Sequence, residues 1–325
     1  MDFLRDADID PAPLAGKRVA ILGYGNQGRA QALNLHDSGI DVVVGLRGGS
    51  GSRIEVEASG LETALVEDAV ASADVVMMLA PDEIHAALYA EVQPRLRQGA
   101  ALGFSHGLSV RFGFVKPRAD LDVFLIAPKG PGTALRSLYT EGKGMLAAWA
   151  VEQDATGNAR GIALAYGRAI GSGRAGLIAT SFAEEAEADL FNEQAVVWGA
   201  VPELLIAGFE TLVDGGVSPE LAYLECVGEL KLLADLIEAR GIAGMREVIS
   251  NTAELGAFLG GRRIVDASVR ARMAEVLSEV RAGRFAKELS DEETSGYARL
   301  EKARGDNQKT ALEQTRRRLE TPDNE

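Results

Sequence analysis

The stretch Arg18-Val-Ala-Ile-Leu-Gly-Tyr-Gly-Asn-Gln-Gly28 joins an apolar run to a helix-compatible run through three glycines. Their G-x-G-x-x-G spacing allows a tight turn and a close approach of the backbone to a ligand. The first turn of the following helix would direct its N–H groups at a pyrophosphate. The flanking runs favour a dinucleotide-binding loop over a purely structural glycine turn. Its predicted cofactor-binding residues are Gly23, Tyr24, Gly25, Asn26, Gln27 and Gly28.

The end of the second apolar run indicates which dinucleotide is bound. Enzymes that use NAD commonly place an acidic residue there to hold the ribose 2′-hydroxyl. This chain instead has Arg47, followed by Ser50 and Ser52. An arginine can pair with a 2′-phosphate and serine hydroxyls can donate to it, so NADP is favoured. A solvated basic loop is the alternative interpretation.

Six apolar, β-rich runs dominate the first half of the chain, and helix-compatible segments separate most of them. Continuous apolar runs are typical of strands covered on both faces, and the alternation predicts βαβ units in a mostly parallel sheet. The predicted strands are Arg18–Gly23, Asp41–Gly45, Asp74–Ala80, Ala100–Phe104, Val123–Ala127 and Met145–Val151. The strand signal stops after about residue 152, where we expect a linking helix over Asp154–Gly171.

The second half of the chain has a helical pattern. It begins at Ser181, where Ser181-Phe-Ala-Glu184 has capping-box spacing. Ser218-Pro219 predicts the start of another long helix, which Gly241 ends. From Ser290 the chain is charged, and we expect a solvated or frayed helix. The sequence therefore predicts an α/β Rossmann domain over residues 1–180 and an all-α domain over residues 181–325.

The composition narrows the range of partners. With 325 residues and a net charge of -14, the chain would repel a phosphate backbone, so nucleic acid is not expected. Its single cysteine, Cys226, rules out an intrachain disulfide and suits a reducing cytosol. No apolar run reaches the roughly 18 residues of a membrane span, and the acidic N-terminus lacks an export-signal core. We therefore expect a cytoplasmic protein that binds neither nucleic acid nor membrane.

Two pairs of acidic residues stand out in the helical half. Asp189 and Glu193 are four residues apart, as are Glu225 and Glu229, so each pair shares one helix face. Each pair interrupts an otherwise apolar stripe, and an uncompensated buried carboxylate costs several kcal/mol. Divalent cations would supply the counter-charge, and four hard oxygen ligands suit Mg²⁺. The alternative is that both pairs simply face solvent.

Six segments, in order along the chain, carry a resemblance to a known enzyme family. They are Gly23-Tyr-Gly-Asn-Gln-Gly28, Val42-Val-Val-Gly-Leu-Arg47, Ala127-Pro-Lys-Gly-Pro-Gly132, Asp189-Leu-Phe-Asn-Glu-Gln194, Glu225-Cys-Val-Gly-Glu-Leu-Lys231 and Ile249-Ser-Asn-Thr-Ala-Glu254. From about Leu14 to Glu288 the chain resembles the ketol-acid reductoisomerases of the short bacterial type. The resemblance implies a Mg²⁺-dependent alkyl shift in a 2-acetohydroxy acid such as 2-acetolactate, followed by reduction with NADPH to a 2,3-dihydroxy acid.

The resemblance also implies roles for individual residues. It makes the four acids ligands of two Mg²⁺ ions, some supplied by a second subunit, because the helical domains of the family intertwine in a dimer. A metal pair can polarise the ketone and stabilise developing charge, and a carboxylate such as Glu229 could shuttle the proton. His106 and Lys129 match catalytic positions, and each follows a predicted strand. The remaining matches are Pro131 and Gly132 for the cofactor, and Ser250, Ala253 and Trp198 for the substrate. His36 and His85 are interpreted as surface or packing residues.

Several positions depart from the usual pattern of the family. Trp198 stands where a small residue is usual, near the substrate pocket, and such added volume is not neutral in a tight site. Thr133 and Gly228 replace histidines, and Leu255 replaces a tyrosine. An enzyme of valine and isoleucine synthesis is thus one interpretation, and a paralogue for another hydroxy-keto acid is a second. A non-catalytic nucleotide-binding protein and a metal-free hydroxyacid dehydrogenase are the further alternatives.

Overall fold

The structure, a computed structural model, describes residues 3–320, and its first half is built around one nine-stranded sheet. The strands are β1 (Phe3–Leu4), β2 (Arg18–Leu22), β3 (Asp41–Leu46), β4 (Glu62–Leu65), β5 (Val75–Met78), β6 (Ala101–Phe104), β7 (Asp122–Pro128), β8 (Ala147–Gln153) and β9 (Leu177–Ala179). They lie in the order β1-β9-β8-β7-β6-β5-β2-β3-β4. Neighbours run parallel except β7 with β8 and β1 with β9, which confirms the mostly parallel sheet.

All six predicted strands are present, and the structure has three further short strands that were not predicted. These are β1 and β4, at the two edges of the sheet, and β9, which pairs with β1 and β8. The expectation that strands stop near residue 152 is therefore wrong. At two to four residues, these strands are too short to show either an apolar run or a clear alternation.

Seven helices accompany the sheet, and apolar cores lie on both of its faces. The helices are α1 (Asn26–Asp37), α2 (Arg53–Ala58), α3 (Val66–Ser72), α4 (His85–Val92), α5 (Leu108–Arg111), α6 (Gly132–Thr140) and α7 (Ala159–Ala169). Along β2, Val19 and Ile21 belong to one core, whereas Ala20 and Leu22 belong to the other. The strand is continuously apolar because alternate side chains enter opposite cores.

The chain divides into two compact units, Met1–Ala188 and Asp189–Glu325. The division falls within α8 (Phe182–Ala195). Ser181 accepts a hydrogen bond from the backbone N of Glu184 at 3.1 Å, so the helix starts at the residue that the capping-box spacing predicted.

The second unit is helical throughout its described residues, as predicted. After α8 come α9 (Ala200–Asp214), α10 (Pro219–Tyr223), α11 (Leu230–Arg246), α12 (Asn251–Ile264), α13 (Ala267–Arg281), α14 (Arg284–Thr294), α15 (Ala298–Asn307) and α16 (Ala311–Glu320). Ser218 and Pro219 start a helix, as expected. That helix is not regular, because a π-helical turn, Leu224–Gly228, separates α10 from α11. Gly241 (φ 67°) breaks α11 at the position where the helix was expected to end.

The charged tail is folded rather than frayed. Glu292 is buried, and its carboxylate accepts hydrogen bonds from Arg299 Nε at 2.6 Å and from the backbone N of Leu300 at 3.0 Å. On α16, Thr315 is buried, and Arg318 pairs with Glu220 of α10 at 3.0 Å. The expectation of a solvated helix is confirmed, because most side chains of α15 and α16 are exposed. The alternative of a frayed tail is not, because its charges pair with one another and with α10.

One described stretch, Phe182–Asp214, is long and apolar enough to cross a membrane on length and composition alone. The apolar run is interrupted by Glu203 and Glu210, and the stretch comprises α8 and α9 as separate helices. A core helix of a soluble protein meets the same criterion when it is mostly buried, whereas only 6% of this apolar window is buried within the described residues. The expectation that no membrane is bound stays a prediction.

Candidate active site

The three glycines of the loop after β2 each have a different reason to lack a side chain. Gly23 has φ 104°, and a Cβ there would lie 2.6 Å from the backbone N of Ala80. A Cβ on Gly28 would lie 2.0 Å from the carbonyl oxygen of Gly23. A Cβ on Gly25 would meet nothing within 4 Å. Two glycines thus permit the turn and its packing, and Gly25 leaves open the approach to the N-terminus of α1.

Two side chains of the same loop hold the neighbouring loop after β7. Gln27 Nε2 donates to the carbonyl oxygen of Gly130 at 2.8 Å, and Asn26 Oδ1 accepts from the backbone N of Thr133 at 2.8 Å. A Cβ on Gly132 would lie 2.0 Å from the carbonyl oxygen of Asn26. The predicted cofactor residues of both loops therefore form one connected surface. The contact of Thr133 with Asn26 uses only the backbone of Thr133. The threonine in place of the family's usual histidine therefore leaves this hydrogen bond unchanged.

Arg47 lies at the end of β3, on the loop that should receive the adenine ribose. Its side chain is exposed, and among the described residues it makes no hydrogen bond or ion pair. Ser50 Oγ accepts from the backbone N of Ser52 at 3.3 Å, which orders the turn. Arg53 is instead engaged with Thr63 Oγ1 at 2.7 Å. Arg53, the first residue of α2, therefore has a side-chain partner within residues 3–320, whereas Arg47 has none there.

His106 follows β6 and contacts an acid that follows β5. Its Nδ1 lies 2.8 Å from Asp82 Oδ2. Because β5 and β6 are adjacent and parallel, both residues stand at the carboxyl edge of the sheet, where ligands bind in this type of fold. Burial alone would raise the pKa of the Asp82 carboxyl, but the hydrogen bond and charge of His106 lower it overall. Nothing in the local sequence marked Asp82, because its partner lies 24 residues away.

His85 is a buried member of the same cluster. Its Nε2 lies 2.9 Å from the carbonyl oxygen of Ala80 and its Nδ1 lies 2.9 Å from Ser109 Oγ. Its ring also packs edge-on against Phe104, at 5.9 Å between centroids. It is thus a packing residue with both nitrogens bonded, whereas His36 is exposed.

Acidification is expected to destabilise the first unit through His85. Burial lowers the pKa of its imidazole from 6.5, so the unfolded chain takes up this proton at a higher pH than the folded chain. Stability is therefore complete above about pH 6.5 and falls as the pH decreases toward the folded-state pKa. Asp82 does not add to this window, because its pKa is lowered from 3.8 and its stabilisation is lost only below that value.

Urea unfolding between about pH 7 and pH 5 tests this expectation. Trp149 fluorescence would report on the first unit in a Trp198→Phe background, since the chain has two tryptophans. A His85→Gln variant keeps a donor for Ala80 and an acceptor for Ser109 but cannot take up a proton. It should show a flatter pH dependence, and equal slopes for both proteins would contradict the assignment.

Lys129 follows β7, and its ammonium group binds a buried acid. Lys129 Nζ donates to Glu185 Oε1 at 2.6 Å, and the backbone N of Gly107 donates to Glu185 Oε2 at 2.8 Å. Glu185 is 4% exposed, whereas the Lys129 side chain retains 41% exposure. The carboxylate therefore joins the residue after His106 to Lys129. Glu185 was missed from the sequence, although its position one turn before Asp189 on α8 could have marked it.

The four predicted metal ligands are exposed more than their apolar stripes suggested. Glu193, Glu225 and Glu229 are exposed, and Asp189 is half-buried. Among residues 3–320, no group of three or more His, Cys, Asp or Glu side chains lies close enough to hold a metal ion. The stripes themselves are uncovered, since Leu221 is 48% and Leu232 is 63% exposed. The expectation of inward-facing acids is thus wrong for the single chain. Their carboxylate oxygens are nevertheless the donors that Mg²⁺ prefers.

The predicted substrate residues also lie in the second unit. Ser250 is the N-cap of α12, and its Oγ accepts from the backbone N of Ala253 at 3.1 Å. Trp198 is 65% exposed between α8 and α9. Of the other departures, Gly228 ends the π-helical turn and Leu255 is 62% exposed. Ser250 thus has a structural task, capping, in addition to any contact with substrate.

Comparison with known proteins agrees with both units. Residues 13–176 match the acetohydroxy acid isomeroreductase NADPH-binding domain, and residues 182–323 match the ketol-acid reductoisomerase C-terminal domain. The second match includes the tail beyond Glu288, where the sequence had suggested little resemblance. These ranges span most of the 325 residues.

Solved structures extend the comparison. The chain is 41% identical to an NADH-preferring ketol-acid reductoisomerase from an uncultured archean, with 98% of each chain covered and a TM-score of 0.95. A semialdehyde dehydrogenase NAD-binding protein from Cupriavidus necator in complex with calcium and NAD shares only the fold, at 20% identity, 82% and 99% coverage and a TM-score of 0.62. So does the pyrroline carboxylate reductase of Plasmodium falciparum with NADP bound, at 12% identity, 83% and 98% coverage and a TM-score of 0.52. From these matches and the loop after β2, the chain belongs to the ketol-acid reductoisomerase family.

Proposed function

We propose that this chain is an NADPH-dependent, Mg²⁺-requiring ketol-acid reductoisomerase of branched-chain amino-acid synthesis. It would convert a 2-acetohydroxy acid of the 2-acetolactate class to a 2,3-dihydroxy acid. One observation carries the proposal: His106 and Lys129 stand at the carboxyl edge of the sheet, each on an acidic partner. Desolvating charged groups is costly, so a vestigial nucleotide-binding protein would have little reason to keep both pairs.

The residues divide the reaction between them. The loop after β2 would bind the pyrophosphate, and Lys129 Nζ, held by Glu185, would donate to a substrate oxygen that gains negative charge. Glu229 would hold the proton released from the substrate hydroxyl. Asp189, Glu193, Glu225 and Glu229 would hold the Mg²⁺ ions, which supply polarisation of the ketone and neutralise charge during alkyl migration. Bound NADPH, held by the loops after β2 and β7, would supply the hydride for reduction of the rearranged ketone to the alcohol.

A second copy of the chain would cover the exposed stripes of the helical unit. Of the 21 large apolar side chains that are exposed in the described residues, 17 lie after residue 188 and 4 before it. Such an uneven distribution is typical of an extensive apolar interface rather than of a monomer surface. A homodimer would bury the stripes that carry the acid pairs. Light scattering that shows a monomer at micromolar concentration would contradict this part of the proposal.

Membership of the family does not decide the cofactor, because the similar archaeal enzyme prefers NADH. The preference for NADPH that we propose for this chain therefore rests on Arg47. Arg47→Gln is expected to raise KM for NADPH about tenfold, because a charge-assisted hydrogen bond is worth about 1.5–3 kcal/mol. KM for NADH should change less than about twofold, because the ribose 2′-hydroxyl carries no charge to pair. Initial rates with each cofactor measure both values. Equal effects on the two cofactors would show that Arg47 does not read the 2′-phosphate.

Steady-state turnover of 2-acetolactate with NADPH and Mg²⁺ is the test of the proposed function. Negligible turnover by protein that binds both NADPH and Mg²⁺ would favour the second candidate, a paralogue for another hydroxy-keto acid. Trp198 is the observation behind that candidate, because a large side chain replaces a usually small one. Recovery of turnover in Trp198→Cys would support it. Turnover that survives EDTA would indicate a metal-free dehydrogenase, and calorimetry without Mg²⁺ binding would indicate a non-catalytic protein.

A further inference from the structure

We propose that Asp82 is a positioning residue that holds His106 in the tautomer with hydrogen on Nδ1, so that Nε2 carries the lone pair. The structural part stands on contacts within the first unit. Its consequence for turnover rests on the proposed function of the chain, with His106 at the catalytic position that the family resemblance implies. Asp82 itself is not placed in contact with substrate or cofactor.

The hydrogen bond between Asp82 and His106 has one possible donor. An ionised carboxylate only accepts, whereas an imidazole nitrogen can donate or accept. The pKa of the Asp82 carboxyl, which burial would raise, is lowered overall, chiefly by the hydrogen bond from His106, so Asp82 is ionised near neutral pH. His106 Nδ1, at 2.8 Å from Asp82 Oδ2, must therefore carry the hydrogen. In the neutral ring Nε2 is then the acceptor.

His85 does not compete for the same carboxylate. Its Nε2 faces the carbonyl oxygen of Ala80 at 2.9 Å, and a carbonyl cannot donate, so Nε2 carries the hydrogen of the neutral ring. Its Nδ1 must then accept from Ser109 Oγ, at 2.9 Å. Burial lowers the pKa of His85 and favours this neutral state, against the opposing charges of Asp82 and Glu83. The 3.6 Å separation of His85 Nδ1 from Asp82 Oδ1 is therefore not a hydrogen bond.

The arrangement leaves Asp82 with a single imidazole donor, His106. Asp82 begins the turn Asp82–Ile84, after Pro81 and four residues beyond the end of β5. A neutral His106 with Nε2 as acceptor can accept a hydrogen bond from a substrate hydroxyl and so orient it, while Glu229 is the group proposed to hold the released proton. The opposite tautomer would present an N–H there and could not accept this hydrogen bond. Asp82 thus acts on the reaction through the hydrogen position of another residue.

The tautomer can be measured without any assay of activity. The chain has three histidines, His36, His85 and His106, so long-range ¹H–¹⁵N correlation spectra of the full-length ¹⁵N-labelled protein hold three ring systems. A His106→Gln variant identifies the signals of His106. In the wild type near neutral pH we expect the Nδ1–H pattern for His106 and the Nε2–H pattern for His85. An Nε2–H pattern for His106 would overturn the proposal.

Asp82→Asn is the variant that links the tautomer to turnover. Its amide can donate or accept, so His106 should lose its single tautomer, and kcat should fall about 100-fold. KM for NADPH should change less than about twofold, because Asp82 is not part of the cofactor loops. Glu91→Gln removes the same charge from an exposed position on α4 and should change neither. An unchanged tautomer and kcat in Asp82→Asn would overturn the proposal, whereas a wild type that shows the expected tautomer but no turnover of 2-acetolactate would refute the proposed function alone.

Discussion

Glu229→Gln is expected to lower kcat/KM for 2-acetolactate about a thousandfold, a loss of about 4 kcal/mol of transition-state stabilisation. The change removes one negative charge from the proposed Mg²⁺ site and also the group proposed to hold the substrate proton. It should leave the melting temperature unchanged, because Glu229 is exposed and makes no hydrogen bond through its side chain within the described residues. Steady-state kinetics across a Mg²⁺ titration measure the effect, and the half-saturating Mg²⁺ concentration should rise as well.

The matched control lies on the same helical segment. Glu238→Gln on α11 removes the same charge from another exposed glutamate, so general electrostatics change equally. Its kcat/KM should stay within about twofold of the wild type, as surface substitutions away from a site usually do. If both variants lose activity equally, the effect of Glu229 is one of net charge and not of metal binding.

Gly28→Ala is expected to abolish NADPH binding and to lower the free energy of unfolding by about 3 kcal/mol, at the upper end for an overpacked site. The added Cβ would lie 2.0 Å from the carbonyl oxygen of Gly23, and neither backbone can move without opening the turn between β2 and α1. Fluorescence titration with NADPH and urea unfolding measure the two effects. A variant with wild-type stability would show that the loop adapts, contrary to the geometry.

Gly25→Ala separates ligand approach from folding. Its φ of -80° suits alanine, and a Cβ there meets nothing in the protein. Stability should therefore be unchanged, while affinity for NADPH falls about tenfold, because a methyl group would stand where the backbone approaches the pyrophosphate. Equal loss of affinity and stability in both variants would indicate that the loop acts only as a turn.

The sheet was predictable from the sequence for a simple physical reason. Residues such as Val19 and Ala20 enter cores on opposite faces of the sheet. A strand that is covered on both faces therefore has an unbroken apolar sequence. The short strands β1, β4 and β9 lack such a run and gain their identity only from pairing with a neighbour. Helix starts were equally visible, because Ser181 caps α8 at the expected spacing and Pro219 occupies the first position of α10 after Ser218.

The candidate site was only partly predictable, because its supporting contacts join distant parts of the chain. His106 and Lys129 follow strands and could be placed at one edge of the sheet. Their partners Asp82 and Glu185 lie 24 and 56 residues away, and no local pattern pairs them. The four-residue spacing within each pair of acidic residues on the second unit's helices indicated that the pair shares one helix face. It could not show whether that face is exposed, because exposure depends on what packs against it. The π-helical turn was also invisible, since a four-residue spacing does not reveal how the backbone is wound.

That turn makes the helical unit tolerant of a change in chain length at one place. A π-helical turn is equivalent to one extra residue accommodated within an α-helix, and Glu225 lies inside it while Glu229 follows it. Loss of a single residue there would restore regular winding and leave the side chains on either side facing as before. The same loss within a regular helix such as α13 would rotate one side by about 100° relative to the other. Homologues one residue shorter in this segment would thus keep both flanking faces and differ only in the turn itself.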